Sequence, residues 1–473
     1  MTLTEALAEL GLAIENRAIS PEAYEAAEKM TLDTLGCGLA GWRQPGTAET
    51  LGLMRDWGGT HEASVLFHGD RLPSPHAAFV NSTMIHALDY DDVYIPGVLH
   101  IMSIILPVAL AAGEVADASG EDLLASVTMG VEVAGRLGIA YCKRQKPPQS
   151  PGFLNTSIVG GFGGVVTACR LLRMSVKQCV DALGINYAQT SGNRQALQDM
   201  TLTKRVQPAF TARSTLWAAA LAARGITGPP NALEGQCGFF ALYTEKDPPS
   251  AEEVTAPREW FEIECDSVKR YPSCGACHAA HAAAEQLAAD GLRPQDIDRV
   301  ELVGFSHDRL VGLPFKLGDN PQVSAQFSVR YCVALALLRG KTTLEHFTDE
   351  AVVANRDVAQ LAERITLLPA LEEGDLPAPP VLSSKVPDRR RNLYHAVIVH
   401  TTDGRRLVRA QCVGQTFDPD AVTLDHVKAK FRDCARFSGI CEPARAEEFI
   451  RAVASLREAE SARDFVRQWC LDP

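Results

Sequence analysis

Three carboxylates and two imidazoles stand within fifteen residues of this chain, in His86-Ala-Leu-Asp-Tyr-Asp-Asp92 followed by His100. Side chains of these types move protons near neutral pH, and His100 is the best candidate for an acid or a base. The flanks, Ala77 to Leu88 and Ile101 to Ala112, are small and apolar. A charged cluster between two buried segments must be paired, hydrated in a cleft, or used for chemistry. A helix end is the plain alternative, because Asp and His are common at caps and loops.

Basic groups would complete a site for a carboxylate. Lys204-Arg205 follows Thr201-Leu-Thr203, before a helix expected to enter at Pro208. Lys269-Arg270 precedes Tyr271-Pro-Ser273, with Ser273 the expected N-cap of a helix. Cations beside a helix N-terminus make an anion site, since free N–H groups and the helix dipole both favour negative charge. A solvated surface pair is the alternative. Cys274-Gly-Ala-Cys277-His278 has the spacing of haem attachment, half a zinc site, or two cluster ligands. No second Cys-x-x-Cys exists and the run is rich in small residues, so structural thiols are the reading adopted. Tyr331 sits in an apolar run, where core packing competes with proton donation. Gly160-Gly-Phe-Gly-Gly164 lacks the dinucleotide spacing and a preceding strand, so it reads as tight helix packing.

The elements that must hold these residues are mostly helical over the first two-thirds. Pro21 to Leu39 has helical spacing with Pro in the first turn. Ser119-Gly-Glu-Asp122 looks like a capping box. Strand-like runs come later: Val300–Phe305, Arg364–Leu368, and Ala396–Thr401 with Arg406–Ala410 around the hairpin signal Asp403-Gly404. Gly374–Pro380 reads as a loop. The expected fold is mainly α with an α+β second domain. Residues 1–265 and 416–473 form a discontinuous helical domain, and 266–415 a smaller α+β lid.

At 473 residues two domains are the default. Apolar content of 46% and charged content of 22% suit an ordinary globular protein. The net charge of −12 argues against nucleic acid or an anionic membrane as partner. The N-terminus lacks a basic n-region, and no apolar run reaches the ~20 residues of a membrane span. Thirteen scattered cysteines suit reduced thiols in a cytoplasm.

Taken with Pro96 and Leu106-Pro107, the opening motif resembles the MmgE/PrpD family. That family includes 2-methylcitrate dehydratases, cis-aconitate decarboxylases and iminodisuccinate epimerases. Asn231-Ala-Leu-Glu-Gly235 with Gly238-Phe-Phe240, the Lys269–Ser273 run ahead of His278, and Ala325–Tyr331 through Gly340 are similar to later motifs of the family, in the same order. The resemblance implies proton abstraction next to a carboxylate, without metal or cofactor, in a homodimer formed through the helical domain. It implies functional roles for Asp89, His100, Lys204, Lys269 and Tyr331, and substrate contacts from Asp92, Arg205, Arg270, Ser273, Cys274 and Leu154. His100 would be the acid or base, Asp89 would orient an imidazole or a substrate hydroxyl, the two lysines would hold carboxylates, and Tyr331 would assist proton transfer. Departures from the family are equally informative. Ile101 follows His100 where Pro is usual, and Val93-Tyr94 replaces Thr-His. Leu154, in Pro151–Asn155, and Gln207 each replace a histidine. Tyr94 or His86 would be the substitutes. The substrate is therefore expected to be narrowed or different. A dehydratase-type lyase leads, with an epimerase, isomerase or decarboxylase and a silent carboxylate-binding protein as alternatives.

Overall fold

The computed structural model describes residues 1–145, 152–305, 310–371 and 373–470. Pro151 of the Leu154 motif lies outside the described residues. The chain divides into two compact units. One comprises Met1–Arg194, Arg205–Val268 and Thr423–Pro473; the other comprises Gln195–Lys204 and Lys269–Val422. The excursion of Gln195–Lys204 is marked by no shift in composition, and it assigns Lys204 and Arg205 to different units. Residues 416–422, expected in the helical domain, belong to the second unit. Asp418 there accepts the Ser383 backbone N–H at 2.9 Å. Asp266, Ser267 and Val268, expected in the lid, belong to the first.

The first unit is helical. Its main helices are α1 (Pro21–Gly41), α2 (Ser74–His86), α3 (Met102–Ala116), α4 (Gly120–Cys142), α5 (Asn155–Leu171) and, from Arg205 onward, α6 (Thr203–Ala223). Ser20 caps α1 by accepting the Ala23 N–H, and Pro21 takes the first position, where its missing N–H costs nothing. Ser119 caps α4 through the Asp122 N–H at 3.0 Å. The glycines of α5 serve close packing: a Cβ on Gly163 would lie 2.3 Å from the Gly130 carbonyl oxygen of α4. Helix α4 is long and apolar enough to cross a membrane by length and composition, but 94% of its most apolar window is buried in the protein, as in a core helix. Pro208 lies inside α6 rather than at its start. The helix begins a turn earlier and forfeits one N–H bond. A small antiparallel pair, β1 (Ala63–Ser64) with β2 (Arg71–Leu72), and a late helix, Leu424–Ser438, complete the part relevant here. That late helix buries Val427, Phe431 and Cys434 and packs along α1.

The second unit carries a four-stranded sheet of β3 (Ile297–Val303), β4 (Thr366–Leu368), β5 (Tyr394–Thr401) and β6 (Arg406–Cys412), in the order β4-β3-β5-β6. β3 pairs in parallel with β4 and antiparallel with β5, which returns antiparallel as β6. Gly404 takes a φ of +87° in the connecting turn, which glycine adopts without strain. Helices α7 (His278–Ala289) and α8 (Val329–Arg339) share one core with the sheet, where Val300, Leu302, Val397 and Val399 meet Ala283, Leu287 and Leu335. One sequence expectation fails locally. A 3-10 turn, Gly275–Cys277, precedes α7, so Ser273 caps no helix. Gly374 lies in a short 3-10 turn, Glu373–Asp375, at the start of the expected loop.

Candidate active site

The His86–His100 loop leaves α2 and returns at the start of α3. Asp89 adopts a φ of +51°, a left-handed turn that Asp tolerates better than most residues, and it is 2% exposed. Asp91 is fully buried. Its Oδ2 lies 2.7 Å from His86 Nδ1 and 3.9 Å from His100 Nδ1, and the two imidazole rings meet edge to face at 5.1 Å. His86 is buried, whereas the His100 side chain is 20% exposed, so His100 is the imidazole of this pair that reaches outward. Its Nδ1 lies 2.7 Å from the Asp92 carbonyl oxygen. A carbonyl only accepts, so Nδ1 carries the proton, and in the neutral ring Nε2 holds the lone pair.

Asp92, expected to contact substrate, also holds the backbone of this loop. Its carboxylate accepts the backbone N–H groups of Ile101 at 2.8 Å and Met102 at 3.1 Å, closing the start of α3 beneath His100. The buried Asp92 carboxyl interacts with that of Asp266; burial first, then Asp266 and Asp91, raises it well above the usual carboxylate range. The loop is also gripped from the late helix. Lys430 Nζ donates to the Tyr90 carbonyl at 2.7 Å, lies 3.8 Å from the centre of the Tyr90 ring, and pairs with Asp33 of α1 at 2.7 Å. Burial works against this ammonium, but the charge of Asp33 raises it above the ordinary lysine range. Sequence reading missed Asp33, Asp266 and Lys430. For Lys430 a signal existed: a cation on the apolar stripe of Val427, Phe431 and Cys434.

Positions 154 and 207, where the resemblance implies histidines, engage backbone. Leu154 is half-buried ahead of α5, and its N–H donates to the Gly192 carbonyl at 3.2 Å. Gln207 braces the same segment, accepting from Asn193 N at 2.9 Å and donating to its carbonyl at 3.0 Å. Tyr94, a suggested substitute, is fully buried with its hydroxyl donated to Glu262, so it is committed elsewhere. His86, the other substitute, stands beside His100.

In the second unit, Lys204 is 5% exposed with Nζ 5.0 Å from the centre of the Phe327 ring, and Lys269 is fully buried. Ser273 is buried, and its hydroxyl has no hydrogen-bond partner among the described residues. Half-buried Cys274 donates its N–H to the Gln326 carbonyl at 2.9 Å. The Tyr331 ring packs 4.9 Å from Phe315, and burial pushes its hydroxyl up to about 12. Asn355 Nδ2 donates to that hydroxyl at 3.4 Å. Two expected anion contacts are otherwise engaged. Arg205, in the first unit, donates to the Pro45 carbonyl at 2.8 Å, and the largely exposed Arg270 pairs with Glu285 at 3.2 Å. The first bond ties Arg205 to the Pro45 loop, and the second is a largely exposed ion pair of the kind worth little to stability.

Among the described residues, one cluster has the make-up of a metal site, His86 with Asp91 and His100. As it stands, the Nδ1 atoms of both rings are hydrogen-bonded to oxygens, which is not the arrangement of an open ligand set.

Comparison with known proteins gives two family matches in tandem. The MmgE/PrpD N-terminal domain matches residues 5–252 and the C-terminal domain residues 271–458. The chain is 25% identical to the cis-aconitate decarboxylase-like protein oryM of Aspergillus oryzae, over 95% of this chain and 93% of that protein. It is 28% identical to the cis-aconitate decarboxylase of Homo sapiens over 74% of this chain and 73% of the relative. It is 24% identical to the 2-methylcitrate dehydratase of Salmonella typhi, over 82% and 80% respectively.

Proposed function

The chain belongs to the MmgE/PrpD family, and we propose that it is a lyase of the dehydratase type acting on a small di- or tricarboxylate. Relatives named as a carboxy-lyase and a hydro-lyase support an enzyme of this class. The observation that carries the mechanism is the Nδ1–H of His100 on the Asp92 carbonyl, which leaves Nε2 as a positioned base. Nε2 takes the proton next to a substrate carboxylate. The electron pair passes into that carboxylate as a carbanion-like state, then expels the β-substituent as the double bond forms. Lys204 and Lys269, in the second unit, are assigned to carboxylate binding on the strength of the family resemblance. Ser273, buried with an unused hydroxyl, is a donor of the same set.

Leucine at position 154 favours a substrate other than cis-aconitate or methylcitrate, because an apolar side chain moves no proton. No metal or cofactor enters this mechanism. Dialysis against a chelator leaves activity unchanged under this reading; loss restored by a stoichiometric metal would overturn it. Thirteen free cysteines support a reducing, cytoplasmic setting.

The test is a thermal-shift panel of di- and tricarboxylates, followed by NMR of each binder in deuterium oxide. Appearance of a double bond supports the lyase. Exchange of a C–H without elimination identifies an isomerase. Binding with neither identifies a silent homologue.

A further inference from the structure

We propose that Thr156 is a positioning residue for His100: its hydroxyl, with the Asn155 amide before it, clamps a strained turn to the start of α5 and so sets where the imidazole points. The inference rests on the role given to His100 above. Three bonds fix that residue. Its backbone N–H donates to Thr156 Oγ1 at 3.0 Å, its carbonyl accepts the Ser103 hydroxyl at 2.8 Å, and its Nδ1–H donates to the Asp92 carbonyl at 2.7 Å. Asp92 and Ser103 lie in the same stretch of chain as His100. Thr156 stands 56 positions further on, so of the three bonds it is the one that ties His100 to α5. The side chain is 2% exposed, and its β-branch restricts χ1, so the acceptor has a set direction.

The turn ahead of His100 needs such a hold. Val98 has a φ of +57°, a left-handed conformation in which a β-branched side chain is strained. Strain of this kind persists only where the surroundings over-determine the backbone. Here they do. Tyr94 N–H donates to the Leu99 carbonyl at 2.8 Å, and Leu99 N–H returns to the Tyr94 carbonyl at 3.1 Å. The Gly97 carbonyl accepts Asn155 Nδ2 at 3.2 Å and the Cys142 thiol, from the end of α4, also at 3.2 Å. Gln145 Nε2 donates to Asn155 Oδ1 at 3.3 Å, which fixes the Asn155 amide with its N–H groups toward the turn. Consecutive residues of α5 therefore grip the turn at Gly97 and at His100. Removing the Thr156 acceptor leaves the His100 N–H unsatisfied and lets the strain at Val98 relax through His100. The imidazole then tilts from the Asp92 carbonyl, and the lone pair on Nε2 loses its aim.

The test compares two variants of the full-length protein. Thr156→Val keeps the shape and removes the acceptor; Thr156→Ser keeps the acceptor. In ligand-free protein labelled with 15N-histidine, the backbone N–H and Nδ1–H signals of His100 should both shift in Thr156→Val and stay near their wild-type positions in Thr156→Ser. On the carboxylate that the thermal-shift panel shows to be turned over, Thr156→Val should lower kcat about ten- to a hundredfold, with KM within about twofold and Thr156→Ser within about threefold of wild type. A residue that only stabilised the fold would lower the melting temperature and leave kcat and the His100 signals of the folded protein unchanged. The signals do not depend on which substrate is used. If they move in Thr156→Val while His100→Ala retains full activity, the positioning stands and the base assignment falls. Unmoved signals in folded Thr156→Val overturn the proposal, and so does a kcat that Thr156→Ser loses equally. If Thr156→Val does not fold, Val98→Gly is added, because glycine takes a positive φ without strain, and the double variant is read against Val98→Gly alone by the same two signals.

Discussion

A single hydrogen bond, His100 Nδ1 to the Asp92 carbonyl, decides which ring nitrogen carries the proton, and the proposed base is the other one. Replacing His100 by alanine should therefore lower turnover about 10²–10⁴-fold, the usual worth of a positioned acid–base group, with substrate binding largely kept. Lys204→Ala or Lys269→Ala should do the reverse, weakening carboxylate binding by about 1–3 kcal/mol. Calorimetric titration separates the two. Unchanged affinity in both lysine variants would remove the anion-site assignment. Leu154→His tests the departure from the family pattern. If an imidazole there suffices, the variant gains activity on cis-aconitate or methylcitrate. A folded but inert variant means that the substrate has changed through more positions. The rebuilding of the segment around Gln207 and Asn193 makes that second outcome informative.

At the scale of elements, what the sequence exposes is what neighbours in the chain decide. The β5–β6 hairpin is legible because Asp403-Gly404 supplies its own turn, and α1 because Ser20-Pro21 supplies its own start. Ser273 misled because a Ser beside a Lys-Arg pair looks like a cap, while the 3-10 turn at Gly275–Cys277 moves the start of α7 along the chain. Asp33, Asp266 and Lys430 were invisible for a different reason: each is an isolated charge whose meaning lies in a distant partner. Lys430 and the Tyr90 carbonyl are 340 positions apart. The Asp33–Lys430 ion pair gives this argument an energetic test. Lys430→Met strands a buried carboxylate and should cost about 3–5 kcal/mol of unfolding free energy. Adding Asp33→Leu should recover much of that loss, because two apolar residues replace the pair. Urea unfolding measures both, and a double variant no more stable than the single would show that the pair does more than satisfy its own charges.

For the molecule as a whole, the exposed Phe210, Trp217 and Leu221 lie at helical spacing along α6. A stripe of that kind on a helix is an association surface, and the expected state is a homodimer through the helical unit. Light scattering should give twice the chain mass of 51.1 kDa, and a monomer at micromolar concentration would refute it. Acid sensitivity has a separate source. His281 stacks on Tyr271 at 3.9 Å, and burial, with Arg270 adding to it, lowers its imidazole from 6.5 to about 3. Its neutral form is favoured on folding, so the stability it lends is complete above pH 6.5 and is lost progressively as pH falls toward 3. His281→Gln cannot titrate, so wild type should lose stability relative to it across that window. A constant difference would assign the acid loss elsewhere. The Lys430 grip on Tyr90 has one more consequence, in the order of synthesis. At about 5–20 residues per second, the 340 positions between the loop and its clamp take roughly 20–70 s to translate. Through that interval the nascent chain carries the loop's residues without the ammonium that sets them, so activity arrives with one of the last helices, and a chain cut short before it stays inert.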